Sequence, residues 1–337
     1  MSVQNLTMRT PVAFIIFNRP DLTTRVFAEI ARARPEKLLV IADGPRPDRE
    51  GEDAKCAATR AIVERIDWPC TILKNYSDVN LGCGHRPATG LRWLFEQVEE
   101  AIILEDDCVP HPTFFPFCEE LLDHYRDDER VMHISGDNFT SSTKGNACDY
   151  FFSYYPISWG WATWRRAFQH YDSDINLWPM LRNTGWLAEI LVDNEKAISY
   201  WTRIFDKAHL EGDRNGYWDF QWLFACWAQR GLSILPGVNL ISNIGFEARG
   251  THTTSPSDQR ANFPSGEMRF PLKHPPCVIR RRNEDDLIFN QVVLAGRRTT
   301  LYQELRSQLS AALPTPLRES MRSLKAGLSH PFFTKND

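Results

Sequence analysis

AIILEDDCVPHPTFF, residues 101–115, sets an unbroken apolar run directly against three acids, Glu105, Asp106 and Asp107. Apolar residues without polar alternation are what a strand buried on both faces of a sheet requires. Adjacent carboxylates repel one another, so a cation, a helix end or open water has to share their position. The helix signalled from about Pro112 starts too far downstream, because a helix end attracts charge only within its first turn. Two readings remain, a solvated acidic loop and an oxygen-liganded divalent cation. Mg²⁺ or Mn²⁺ needs only one or two protein carboxylates when a substrate diphosphate supplies further oxygens.

Working outward, VAFIIF (12–17), KLLVIA (37–42), CTILK (70–74) and VMHIS (131–135) repeat the same continuous apolar character. Between these runs, apolar residues fall at helical spacing: Leu22, Val26 and Ile30 after a capping Asp21; Ala58, Ala61, Ile62 and Ile66; Leu91, Leu94, Phe95 and Val98; and Phe114, Phe117, Cys118 and Leu121. Strand and helix thus alternate, which predicts an α/β fold with a mainly parallel sheet covered by helices on both faces. Ligands in such sheets bind beyond the carboxyl ends of the strands. Asn18, Arg19, Asp43, the loop 80–86 and the three acids all fall there.

The chain has 337 residues, 42% of them hydrophobic, enough to bury a substantial core. A net charge of −4 argues against a nucleic-acid binder, despite the local run Arg280, Arg281 and Arg282. The eight cysteines show no CxxC pairing and no zinc spacing, which points to reduced thiols and a cytoplasmic protein. The N-terminal MSVQNLTMRT lacks the apolar centre of a signal peptide, and no run approaches the length of a membrane span.

The turn after the first strand reads FNRPDLTT, without the glycines of a dinucleotide fingerprint or a P-loop. Asp43 in IADGP can accept from a base imide or a ribose hydroxyl, or serve simply as a turn former, and Arg19 offers a planar fork to base or phosphate. Together the strand-end residues describe a nucleotide-diphosphate pocket.

VAFIIFNRP, LLVIADG, GHRPATG, LEDDCVPHPTFFPF, HISGDNF, YYPISWGWATWRRAF, YWDFQW and NLISNIGFEARGTH follow one another in the order found in a known group. Over about residues 11–255 the chain resembles the GT-A fold glycosyltransferases, and among them N-acetylglucosaminyltransferase I and its bacterial relatives. The resemblance implies a GT-A type nucleotide-diphospho-sugar transferase fold over 9–275, with a nucleotide-binding half at 9–135, an acceptor half at 136–275 and a helical extension at 276–337. It implies uracil and diphosphate contacts at Arg19, Asp43 and His85, ribose or donor-sugar contacts at Glu105 and Asp106, and a metal bond from Asp107. It further implies that the polar stretch 245–255 orders over the diphosphate, with phosphate or metal contacts from Thr251 and His252. The implied activity is metal-dependent, inverting sugar transfer from a nucleotide donor, UDP-sugar with Mn²⁺ or Mg²⁺, to a carbohydrate acceptor of a surface glycan or glycoconjugate.

An inverting transferase needs a base for the acceptor hydroxyl. Asp219 stands between Trp218 and Phe220, whose rings exclude water, and it also reads as the N-cap of a helix running to about Arg230. The family base follows a tryptophan in a Trp-Asp-Asp-Trp sequence. Here the second acid is Phe220 and the last tryptophan falls one place later, at Trp222, so Glu211, Asp213 and Glu247 stand as reserves. Nine of the eleven tryptophans lie between 159 and 227; most belong in the core, and Trp159 and Trp161 are singled out for approach to a ligand. Two helices are expected at 300–312 and 315–327, the second (LRESMRSLKAGL) basic and amphipathic, suited to packing or to peripheral contact with an anionic membrane face. A sugar-phosphate nucleotidyltransferase is the alternative enzyme, although its glycine-rich loop after the first strand is missing. A non-catalytic carbohydrate-binding protein is the alternative outside catalysis.

Overall fold

The structure is a computed structural model, and it describes residues 8–140, 147–212, 216–246, 258 and 260–294. The chain divides into two compact units, Met1–Phe289 and Asn290–Asp337. The helices expected at 300–312 and 315–327 lie outside the described residues.

The first unit begins β1 (Val12–Ile16), α1 (Pro20–Ala33), β2 (Lys37–Ala42), α2 (Glu52–Arg60), β3 (Thr71–Tyr76), α3 (Gly82–Gln97), β4 (Glu100–Glu105). A short strand β5 (Cys108–Pro110) and the helix α4 (Phe114–His124) follow, then β6 (Val131–Ser135), β7 (Tyr150–Ser153) and β8 (Trp161–Trp164). A helical stretch comes next: α5 (Arg165–Phe168), α6 (Trp178–Leu181), α7 (Trp186–Leu191), α8 (Glu195–Glu211) and α9 (Asp219–Ala228). The unit closes with β9 (Leu232–Pro236), β10 (Ile241–Asn243) and α10 (Arg282–Ile288).

Eight strands form one sheet in the order β3-β2-β1-β4-β8-β6-β9-β7. The first four are parallel, as the strand–helix alternation predicts. The continuous apolar runs are explained by the two faces they serve. Val12, Phe14, Ile16, Leu38, Val40, Ile102 and Leu104 pack with α1 and α4 on one side, while Ala13, Ile15, Leu39, Ile41 and Ile103 pack with α3 and α9 on the other. This is the two-residue period of a strand with every residue buried. The architecture is therefore mixed α/β with a mainly parallel sheet and helices on both faces, as the alternation of strand and helix predicts.

The second half departs from the expectation. VMHIS does not lie beside β4, because β8 inserts between them antiparallel to both. WATW is that strand, and Trp161, singled out for approach to a ligand, is fully buried within it. The segment 168–215 supplies α6, α7 and α8, whose Trp178, Trp201 and Phe205 pack edge-on against Phe224 and Trp227 of α9. Most of the tryptophans accordingly form core, as their helical spacing indicates. Residues 280–289 pack with the same unit: Asp285 accepts from Tyr154 N (3.2 Å) and pairs with Ser153 and Arg280.

Candidate active site

A cleft of about 370 Å³ opens beyond the carboxyl ends of β1, β2 and β4, within the size range of small-molecule sites. It brings together Arg19, Asp43, Glu105, Asp106, Asp107 and Asp219.

The acids stand where β4 ends. Glu105 is its last residue, paired in register with Ile15, while Asp106 and Asp107 continue into β5. β5 pairs antiparallel with β10, and Ile244 N donates to the Asp107 carbonyl at 2.9 Å, so this ribbon fixes the turn. Gly245 follows because the Asp107 carboxylate occupies the space a side chain would need: a Cβ there would fall 2.0 Å from Asp107 Oδ2.

Arg19 answers the acids. Its carbonyl caps α1 by accepting from Thr23 N at 2.9 Å, so Arg19, not Asp21, is the N-cap, with Pro20 opening the helix. Its guanidinium pairs with Asp106 and stands 2.9 Å from Asp107 Oδ2. Burial works to lower the guanidinium's proton affinity, but the charges of Asp106 and Asp107 outweigh it and hold the proton more tightly than usual. One arginine does not balance three carboxylates. Burial, then repulsion from Asp107 and Asp106, pushes Glu105 up to about 8. Asp106 is likewise raised by burial, against the pull of Arg19.

The excess negative charge and oxygen-only donors at the end of β4 suit a hard divalent cation. Among the described residues, however, no three His, Cys, Asp or Glu side chains form a ready-made metal centre. The arrangement fits a cation that shares one or two carboxylates with a ligand's own oxygens. Asp107 Oδ1 also accepts from Cys108 Sγ at 3.3 Å, which orients the carboxylate. Thr251 and His252, expected over the diphosphate, lie outside the described residues.

Asp43 is buried, and burial raises its pKa in spite of backbone donors from Leu81, Gly44 and Gly82. Arg86 lines the cleft but is turned inward: its Nε donates to Ala42 O at 3.1 Å and its Nη2 to Asn75 Oδ1 at 2.6 Å. His85, half-buried on α3, is not among the cleft-lining residues, whereas Cys83, Arg86 and Pro87 of the same helix are. The 3.6-residue turn explains this, since neighbouring side chains point about 100° apart.

On the opposite wall, Trp218 is the N-cap of α9 and Asp219 is its first residue, so the carboxylate is not the cap. Asp219 is half-exposed in the cleft, and its charge adds to the repulsion felt by Glu105. An aromatic stack holds it in place. Trp218 lies on Trp161 at 5.6 Å between ring centroids, and Trp161 lies on His133 at 5.0 Å. Trp222 Nε1 donates to His133 Nδ1 at 3.1 Å, and His133 Nε2 donates to Ile157 O at 3.0 Å. Those partners fix a neutral ring, and burial drives its pKa down to about 3. Gly84 completes the contact, because a Cβ there would meet Gly216 C at 2.8 Å. Glu211 ends α8 outside the cleft, and Asp213 and Glu247 lie outside the described residues.

Of the two tryptophans expected near a ligand, Trp159 lines the cleft and Trp161 does not. Trp159 is braced edge-on by Phe139 and Phe246, with Arg260 over its ring at 5.6 Å. Phe17, Arg46, Tyr217 and Asn243 also line the cleft and were not singled out from the sequence. Arg46 could have been noticed as a cation three residues past Asp43 in DGPRP; Tyr217 carried no signal beyond its aromatic neighbours. Arg46 pairs with the buried Glu52 and lies over the Phe17 ring at 5.5 Å.

No family model matches the chain, and no curated protein matches it. Among solved structures, it is similar to the mannosyltransferase PcManGT from Pyrobaculum calidifontis in complex with GDP-Man and Mn²⁺, with a TM-score of 0.34 and 14% identity over 49% of this chain and 47% of that one. It is also similar to a UDP-glucose pyrophosphorylase complexed with UDP-glucose, with a TM-score of 0.25 and 12% identity over 43% of this chain and 63% of that one. The match thus spans about half the length of the first protein and less than two thirds of the second.

Proposed function

We infer that the chain is a glycosyltransferase that binds a nucleotide-diphospho-sugar, UDP-linked, in this cleft and transfers the sugar, with inversion, to a carbohydrate acceptor of a surface glycan or glycoconjugate. The observation that carries this reading is the convergence of the acids at the end of β4, Arg19 at the end of β1 and Asp219 from α9 on one cleft.

Asp107, beside Glu105 and Asp106, would hold Mn²⁺ or Mg²⁺, which when bound supplies neutralisation of the departing diphosphate. Arg19 presents its planar fork from the same corner and orients phosphate oxygens. Asp219 accepts the proton of the acceptor hydroxyl as that oxygen bonds to C1 and the C1–O bond to the diphosphate breaks. Trp159 offers an aromatic face at the cleft for an acceptor sugar. The free state of all eight cysteines accords with a reducing, cytoplasmic setting. Among the described residues no helix is long and apolar enough to cross a membrane. Peripheral membrane contact through the C-terminal segment remains part of the proposal.

Differential scanning fluorimetry with UDP and Mn²⁺ tests the reading. The wild type should show a UDP shift that requires metal and that Asp107→Ala abolishes; a protein with no such shift is not this enzyme. Asp219→Asn should bind UDP with metal and fail to transfer, and full turnover by that variant would remove Asp219 from the role of base.

A further inference from the structure

We propose that Asn80, and not Asp43, reads the base of the nucleotide, accepting a ring N–H of the kind that uracil, thymine and guanine carry beside a carbonyl. The proposal rests on the nucleotide-binding reading above and names the residue that sets base preference at that site.

Asp43 stands at the end of β2, where a carboxylate facing the cleft could accept from a base, but its capacity is already used. Oδ1 accepts from Gly44 N and Leu81 N, both at 2.9 Å. Oδ2 accepts from Gly82 N and Asn80 Nδ2, both at 3.0 Å. A carboxylate has about four lone-pair sites, so these four donors fill it. The work of Asp43 is to hold the loop before α3.

That loop fixes Asn80 in one orientation. Its Nδ2 donates to Asp43 Oδ2 and to Gly44 O at 2.9 Å. Both partners are acceptors, so the amide cannot be flipped without setting oxygen against oxygen. The side-chain carbonyl is left as an acceptor, with no donor among the described residues, on a half-buried residue that lines the cleft. Gly44 secures the placement: a Cβ there would lie 2.5 Å from the Val79 backbone, so only glycine lets the chain preceding Asn80 approach. Phe17 lines the same cleft, with the Arg46 guanidinium over its ring at 5.5 Å.

A fixed acceptor favours bases that present an N–H and opposes cytosine and adenine, which present a ring lone pair at the corresponding edge. Leaving a desolvated acceptor unmatched is worth about tenfold or more in affinity. Isothermal titration of the full chain with Mn²⁺ and UDP, GDP, CDP, ADP or N3-methyl-UDP tests this. The wild type should bind UDP or GDP at least about tenfold more tightly than CDP and ADP, and UDP more tightly than its N3-methyl form. Asn80→Ala should erase these ratios, as should Asn80→Ser, which keeps a donor for Asp43. Preserved ratios in either folded variant would overturn the assignment. Equal wild-type affinity for UDP and N3-methyl-UDP would overturn it without any variant. Binding of all the diphosphates without base preference defeats this proposal alone, whereas binding of none defeats the nucleotide reading beneath it.

Discussion

The Arg19 guanidinium lies 2.9 Å from Asp107 Oδ2 while also pairing with Asp106, so the acids suited to a cation are partly answered by the protein's own arginine. The two answers are not exclusive, because the site still carries more negative than positive charge. Arg19 sets the electrostatic starting point from which a metal and a diphosphate would bind.

Replacing Arg19 therefore has two opposed consequences. Arg19→Ala leaves buried carboxylates unpaired and should lower stability by roughly 3 kcal/mol. Mn²⁺ should then recover more of the melting temperature than it adds to the wild type, since it replaces the missing charge. Thermal denaturation with and without Mn²⁺ measures both effects; an equal metal shift in the two proteins would show that arginine and cation do not share these acids.

Gly245→Ala places a methyl group where Asp107 Oδ2 stands, 2.0 Å from the ideal Cβ position. The carboxylate must move. Metal-dependent UDP binding should weaken by about tenfold or more, as expected when a ligand is displaced by an ångström or so. Circular dichroism should remain that of the wild type. Unchanged affinity would mean that Asp107 is not a ligand.

His133 makes stability depend on pH. Its ordinary pKa of 6.5 falls to about 3 in the folded protein through burial. Between those values the unfolded chain holds a proton that the folded chain excludes, so the contribution is complete above about 6.5 and declines as pH falls. The slope should approach 1.4 kcal/mol per pH unit. Asp137 and Asp285 are raised by burial and act with the opposite sign. Urea titrations of wild type against His133→Gln between pH 7 and about 4 isolate the histidine, because those two acids are common to both. Parallel pH curves would refute the assignment.

Trp222 joins Trp161, Phe168 and His133 on the face of the sheet beneath Asp219. Trp222→Ala should cost about 3–5 kcal/mol. The conservative Trp222→Phe, which loses the N–H to His133, should instead turn over more slowly with near-normal donor binding, because Asp219 is held through that stack. Equal losses in kcat and donor affinity would point to general loosening.

The first half of the fold was legible chiefly through strands buried on both faces, VAFII and KLLVIA, whereas β3, expected to be as buried, is a partly exposed edge strand. The acids after β4 were legible for the same reason, since the apolar run that precedes them fixes where the strand ends. WATW was not, because Gly160 and three tryptophans nearby look the same in a loop as in a short strand, and only the partners β4 and β6 decide. His85 and Arg86 are adjacent in sequence but one helical step apart in space, a distinction that composition does not carry. Asp43 was found for its position, yet its saturation by Leu81 and Gly82 depends on a loop fold that no local pattern encodes.

The most direct measurement is the anomalous scattering of manganese in crystals grown with Mn²⁺ and UDP. The account predicts a peak beside Asp107, with the diphosphate bridging toward Arg19. A cleft without metal or nucleotide, with Arg19 still clamped on Asp106 and Asp107, would contradict it.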